Sequence, residues 1–221
     1  MIITIDGPAA AGKGTLASKL AAKFNLAYFD TGMVYRAVGL EMLLGGKDIN
    51  DETVAEKLAR ELTFPRMMTL AQNPDFRSPI GGKNASIVSA YPKVRAALLK
   101  MQQDFAYNPT FADGRKAAGA IYDGRDTGTV VCPQAEIKFF VTASPEVRAE
   151  RRYKEFLQKG ISTSFDEVLA DVKARDKRDS ERATAPMKPA ADAVIFDTSA
   201  LSIEQVYQKA LEIIESKQKS A

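Results

Sequence analysis

Ile2-Ile3-Thr4-Ile5-Asp6-Gly7-Pro8-Ala9-Ala10-Ala11-Gly12-Lys13-Gly14-Thr15-Leu16 is the stretch whose reading decides the fold of this chain. It begins as a short apolar run, passes through a Gly/Ala-rich turn, and opens a helical pattern with Leu16, Leu20 and Phe24 on one face. Strand, glycine-rich turn and helix in that order are the context in which Gly-x4-Gly-Lys reads as a phosphate-binding loop. Backbone N–H groups of the loop and the helix N-terminus would face an anion, and Lys13 adds a full positive charge. A tight turn carrying a solvated lysine is the plainer alternative.

One detail narrows the class. The position after the lysine is Gly14, and the hydroxyl comes one residue later, at Thr15. Gly-Lys-Gly-Thr resembles the loop of nucleoside monophosphate (NMP) kinases more than that of GTPases or motor ATPases. The guanine-reading Asn-Lys-x-Asp pattern is absent from the chain.

At 221 residues the chain is long enough for one domain with a substantial core. No run of about 18 apolar residues occurs, so no membrane span is expected. The loop starts at residue 7, leaving no room for a secretory signal before it, and the expectation is a cytoplasmic protein. The single cysteine, Cys132, sits in an apolar run and reads as a core residue. There is no histidine, which removes histidine acid–base chemistry and His-containing metal sites. A net charge of +3 is too small to argue for a nucleic-acid polymer. The arginines are clustered instead, at 148–152 and 175–182 and singly inside turns, which suits a small polyanionic ligand.

Strands are expected at Ile2–Ile5, Leu26–Phe29, Ala120–Tyr122, Ile137–Val141 and Ala193–Phe196. These short apolar runs, separated by helical stretches, predict an α/β fold with a doubly wound, five-stranded parallel sheet. Helices are expected at 15–24, 33–44, 51–61, 93–105, 145–158, 165–178 and 202–216, with Gly45-Gly46 stopping the second and Ser202/Gln205 capping the last. Asp6-Gly7, Asp30-Thr31-Gly32 and Asp123-Gly124-Arg125-Asp126 follow strands, so they are expected to line one ligand crevice. Residues 62–92, rich in proline and weak in periodicity, read as a small insertion over it. Residues 145–182, broken at Gly160–Ser164, read as a helical hairpin and a lid.

Several further clusters carry a resemblance over nearly the whole chain. They are Asp30-Thr31-Gly32-Met33-Val34-Tyr35-Arg36, Asn84-Ala85-Ser86, Tyr91-Pro92-Lys93-Val94-Arg95, Asp123-Gly124-Arg125-Asp126-Thr127-Gly128-Thr129, Arg175–Arg182 and Ala185-Pro186. With the loop Gly7–Thr15, this set resembles the bacterial cytidylate kinases. The resemblance implies one P-loop kinase domain over 1–221, an NMP-binding region over about 31–105 that includes 62–92, and a lid over about 145–182. It also implies ATP and CMP or dCMP as small-molecule partners, Mg²⁺ with the ATP, and a monomer that binds neither membrane nor nucleic acid.

The site residues follow on those terms. Gly7, Pro8, Ala9, Ala10, Ala11, Gly12, Lys13, Gly14 and Thr15 are assigned to ATP. Thr31, Arg36 and Arg125 are assigned to the CMP phosphate; a helix cap beside a surface arginine would read the same. Asp126 is assigned to the cytosine 4-amino group, a pairing carboxylates also make with cytosine in nucleic acids, although an Asp–Arg pair across a turn is the simpler reading. Ser86 and Arg95 match base-contacting positions by resemblance. So do Arg175 and Asp179 at the ribose, and Arg182 at the base or phosphate side. Arg175, Arg178, Asp179 and Arg182 share one face if the helix persists; a solvated charged face is the alternative. Arg151 is the lid candidate for the ATP phosphates, with Arg148 and Arg152 read as snorkelling surface charges. Lys13, Arg36, Arg125, Arg151 and Arg182 form the catalytic set, and no protein ligand is assigned to the metal. The near copy Asp113-Gly114-Arg115 reads as a surface loop without a site role. A rival NMP acceptor, a nucleotide switch and an RNA-binding module remain open at this level.

Overall fold

The computed structural model describes residues 1–219. Strands β1 (Ile2–Asp6), β2 (Ala27–Asp30), β3 (Ala120–Gly124), β4 (Ile137–Thr142) and β5 (Val194–Asp197) form one parallel sheet in the order β2-β3-β1-β4-β5. All five expected strands are present, most of them running a residue further into the polar cluster that follows. Side-chain alternation places Ile121 on one face and Ala120 and Tyr122 on the other. Helices α1 (Lys13–Phe24) and α9 (Ile203–Lys219) cover the Ile121 face. The opposite face is covered by α2 (Gly32–Leu44), α3 (Glu52–Glu61), α4 (Phe64–Leu70), α5 (Pro79–Val88) and α6 (Pro92–Tyr107). Phe105 of α6 stacks on Phe29 at 4.8 Å while Tyr122 meets both rings edge-on, which fixes α6 against β2 and β3. Cys132 is buried in that core.

Residues 62–92 are more ordered than their sequence suggests. They hold α4, a 3₁₀ turn at Pro74–Arg77 and α5. The prolines break no helix here: Pro65, Pro74, Pro79 and Pro92 each stand in a first turn, where a missing N–H costs nothing. Thr63, Asn73 and Ser78 cap the first three of these turns through their side chains.

Helices α7 (Pro145–Gln158) and α8 (Phe165–Glu181) form the expected hairpin, with a small core of Ala149, Phe156, Val168 and Val172. A capping box of Ser164 and Glu167 starts α8. Ser202 and Gln205 cap α9 reciprocally, as expected. Among the described residues no helix is long and apolar enough to cross a membrane. The Asp113-Gly114-Arg115 turn lies exposed, closed by its own Asp–Arg pair and a bridge between Thr110 and Lys116.

Candidate active site

Sheet register brings the strand ends together, with Asp6 beside Gly124 and Asp30 beside Asp123. Directly beyond β1 the chain turns sharply. Gly7 has φ of 138°, and a Cβ there would lie 1.9 Å from the Val141 carbonyl oxygen, so only glycine lets the loop leave between β1 and β4. Ala10 takes φ of 62°, a strained value for an alanine, and Gly12 takes 94° before α1 begins. The curled backbone aims the N-terminus of α1 into a cleft of about 300 Å³.

Lys13 is 5 % exposed. Its Nζ donates to the Pro8 carbonyl at 2.9 Å and lies 3.6 Å from Asp123 Oδ1. Burial, helped by Arg125 and opposed by Asp123, pushes its pKa down from 10.5 to about 8. Burial pushes Asp123 upward, against the pull of Lys13 and Arg125.

Eight cationic and four carboxylate side chains line this one cleft, so its field is strongly positive. Arg125 donates to Asp179 at 3.0 Å and to the Gly124 carbonyl at 2.9 Å. Arg36 donates to the Phe76 carbonyl at 2.8 Å. Arg175 lies 3.8 Å from Asp179, and its buried Nε has no hydrogen-bond partner among the described residues. Burial, together with Arg125, Arg36 and Arg152, lowers the pKa of Arg175, the mark of cations crowded against one another. Burial raises Asp179, but Arg125, Arg175 and Arg182 pull harder and hold it below the usual carboxylate range.

At the other end Asp126 receives two arginines. Arg95 donates to Oδ2 in a short ion pair, and Arg182 donates to Oδ1 at 3.2 Å. The Arg95 guanidinium stands 5.4 Å from the Tyr35 ring centre. Thr31 donates its hydroxyl to the Asp123 carbonyl at 2.9 Å.

The structure therefore brings Lys13, Gly12, Gly14, Thr15, Ala9, Ala10, Thr31, Arg36, Arg95, Arg125, Asp126, Arg175, Asp179 and Arg182 to one cleft. Gly7, Pro8 and Ala11 shape the loop without lining that cleft, although Ala11 lines the neighbouring pocket. Ser86 stands behind the wall: it is 2 % exposed and accepts from Arg178 Nε at 3.1 Å, while its neighbours Ala85 and Ser89 face the cleft. Arg182 lies just past the end of α8, so the expected helical face is completed by the residue after the helix.

Of the hairpin arginines, Arg148 and Arg152 are not the surface charges of their sequence reading. Arg151 donates to Thr198 through both side chain and carbonyl, and lines a second pocket with Leu201, Ile203 and Val206. Arg152, read as a surface charge, lines both that pocket and the cleft. Arg148 is 3 % exposed. It pairs twice with Asp176 and donates to the Ala143 and Ala9 carbonyls. Both pockets share Ala10, Gly12, Thr15 and Arg152, and so meet at the loop.

The profile of the family described as cytidylate kinase matches residues 3–216. The chain belongs to the cytidylate kinase family. A cytidylate kinase of Rhodospirillum rubrum is 51 % identical over 217 residues, covering 98 % of each chain. One from Paramagnetospirillum magneticum is 50 % identical, again with 98 % of each chain covered. Among solved structures, an uncharacterised protein from Eubacterium ventriosum superposes with a TM-score of 0.53 at 12 % identity over 98 % of each chain, a likeness of fold alone.

Sequence reasoning placed Asp30 and Asp123 at the crevice without giving either a ligand role, and it passed over Tyr35, Arg77 and Arg152 as cleft residues. Asp30 and Asp123 carried a signal, as the last polar residues of their strands. Tyr35 and Arg77 carried none, because helix packing and the 3₁₀ turn aim them.

Proposed function

We propose that this protein transfers the γ-phosphoryl group of ATP to CMP and dCMP, giving ADP and CDP or dCDP, and so serves pyrimidine nucleotide metabolism. The observation that carries the reading is a single cleft lined together by Lys13 of the loop, Arg36 and Arg125, and by Asp126 held between two arginines. A protein that only bound ATP as a switch would have no use for a second set of phosphate-facing arginines.

The loop amides and Lys13 hold the β- and γ-phosphates of ATP, whose nucleoside occupies the adjoining pocket beside Arg151. Arg36 and Arg125 fix the CMP phosphate, and Arg175 with Asp179 addresses the sugar. Asp126, held by Arg95 and Arg182, accepts from the cytosine 4-amino group. Uracil would place a carbonyl oxygen against that carboxylate, at a cost of roughly 1–3 kcal/mol for each unmatched group. Arg152 stands where the two pockets meet, so it is assigned to the transferring group in preference to Arg151.

The acceptor oxygen belongs to a phosphate whose second pKa is about 6, so it is largely ionised at neutral pH and needs no general base. The residues therefore work by alignment and by neutralising charge. Lys13 and Arg152 stabilise charge on the migrating group, Arg36 and Arg125 keep the attacking oxygen in line, and the hairpin excludes water. Mg²⁺ accompanies the ATP and supplies charge neutralisation at the phosphates. Asp30, Asp123 and Thr15, hard oxygen donors on the Lys13 wall, are the side chains that fit it. Residues of about 31–105 form the acceptor-binding region and α7–α8 the lid.

A coupled assay with ATP and Mg²⁺ against CMP, dCMP, UMP and AMP tests the reading. ADP release that depends on CMP and dCMP is the expected result. A preference for AMP, or ADP release indifferent to any acceptor, would refute it.

A further inference from the structure

Asp6 closes β1 yet does not line the cleft, and it is 3 % exposed. Its carboxylate is consumed by one short segment of chain. Oδ1 accepts from the Thr127 N–H and from the Thr127 hydroxyl, each at 2.8 Å, and Oδ2 accepts from the Gly128 N–H at 2.8 Å. Burial raises its pKa to about 6 while these hydrogen bonds oppose the rise, so at neutral pH the group is ionised and its bonds are charge-assisted. Gly128 is pressed onto β1 so closely that a Cβ would lie 2.8 Å from Thr4 Oγ1. The clamped segment begins at the residue after Asp126.

We propose that Asp6 is a positioning residue for acceptor selection: by gripping Thr127 and Gly128 from below, it fixes the direction in which Asp126 presents its carboxylate to the base. This rests on the reading of the protein as a CMP kinase that uses Asp126 to choose its base. Base choice between cytosine and uracil depends on placing one acceptor to within about half an ångström, a tolerance that a hydrogen bond to Arg95 or Arg182 alone does not set, since both arginines end flexible side chains. The backbone beneath Asp126 has to be held: the following turn closes on the Asp126 and Thr127 carbonyls, and Asp6 is the side chain that ties the segment to β1. Asn at this position keeps the bonds to one oxygen but turns an amide N–H₂ toward the Gly128 N–H, donor against donor.

The test compares wild type, D6N, T127V and D126A by kcat/KM for CMP and for UMP, with saturating ATP and Mg²⁺. The CMP-over-UMP ratio is expected to fall about tenfold in D6N and about threefold in T127V, which loses one of the three bonds, with KM for ATP unchanged. Loss of activity in equal proportion for both acceptors would assign Asp6 a purely structural role and overturn the proposal. Should D6N fail to fold, T127V decides alone: an unchanged ratio in the folded protein refutes the inference. Wild type that does not favour CMP, or D126A that keeps the wild-type ratio, would remove the underlying reading. An unchanged ratio in D6N and T127V beside an altered one in D126A would remove this inference only.

Discussion

At one end of the cleft Arg95 and Arg182 close on the Asp126 carboxylate; at the other Lys13, Arg36, Arg125, Arg152 and Arg175 crowd together around Asp30, Asp123 and Asp179. Both ends are built of arginine and aspartate, and both are substantially buried. The first is paired within the protein. The second carries the larger positive charge, five cations to three carboxylates, and burial lowers the pKa values of Lys13, Arg36, Arg152 and Arg175 there, with neighbouring cations adding to the fall and nearby carboxylates opposing it. A paired end suits selection, because a ligand has to match groups already fixed in place. An end with excess charge suits binding and catalysis of phosphate transfer, because an anion relieves repulsion that folding had to tolerate. Stability and function should therefore respond in opposite ways at the two ends.

The largest effect is expected for Lys13→Met, which should lower kcat by about 10²–10⁴. The same change removes a buried charge, so the melting temperature should hold or rise. A fall in melting temperature with kcat preserved would break the contrast. Next comes Asp126→Ala. It should narrow the CMP-over-UMP ratio of kcat/KM about tenfold or more and, by leaving Arg95 buried without its partner, cost about 3 kcal/mol in denaturant unfolding. An unaltered ratio would take Asp126 out of base recognition.

A smaller but sharper comparison sets Arg152→Ala against Arg151→Ala. The first should reduce kcat about a hundredfold with little change in KM for CMP, while the second should mainly raise KM for ATP. The reverse pattern would return the phosphate role to Arg151.

The smallest effect is a proton. Folding lowers the Lys13 pKa from 10.5 to about 8, so between those values the unfolded chain binds more protons and stability rises with pH. Bound phosphates should lift the pKa again. Calorimetric titration of ATP at pH 8.5, in buffers of differing ionisation enthalpy, should show net proton uptake, and buffer-independent heats would contradict it.

Much of the molecule was legible beforehand, for identifiable reasons. The five strands and the ends of α1, α2 and α7 follow from apolar period and from Gly or Ser at their boundaries, which are local signals. Residues 62–92 were less legible because proline reads as a breaker until its place in a first turn is known. The arginines at 148, 151 and 152 share one helical stretch and one charge, so sequence could not order them. What separates them is the direction each faces: Arg148 toward Asp176 and Ala9, Arg151 toward Thr198, Arg152 toward the cleft.

The amino-acid sequence by itself determined the Gly-rich loop, the parallel α/β framework and the polar turns at 30–36 and 123–126, since each is written in contiguous residues whose backbone preferences are local. Only the tertiary structure decided which charges are compensated. Whether an arginine is paired, crowded or turned away depends on residues tens of positions distant, such as Asp126 for Arg182 or Asp6 for Thr127 and Gly128. Electrostatic energy depends on distance and burial, and neither is encoded at a single position in the chain.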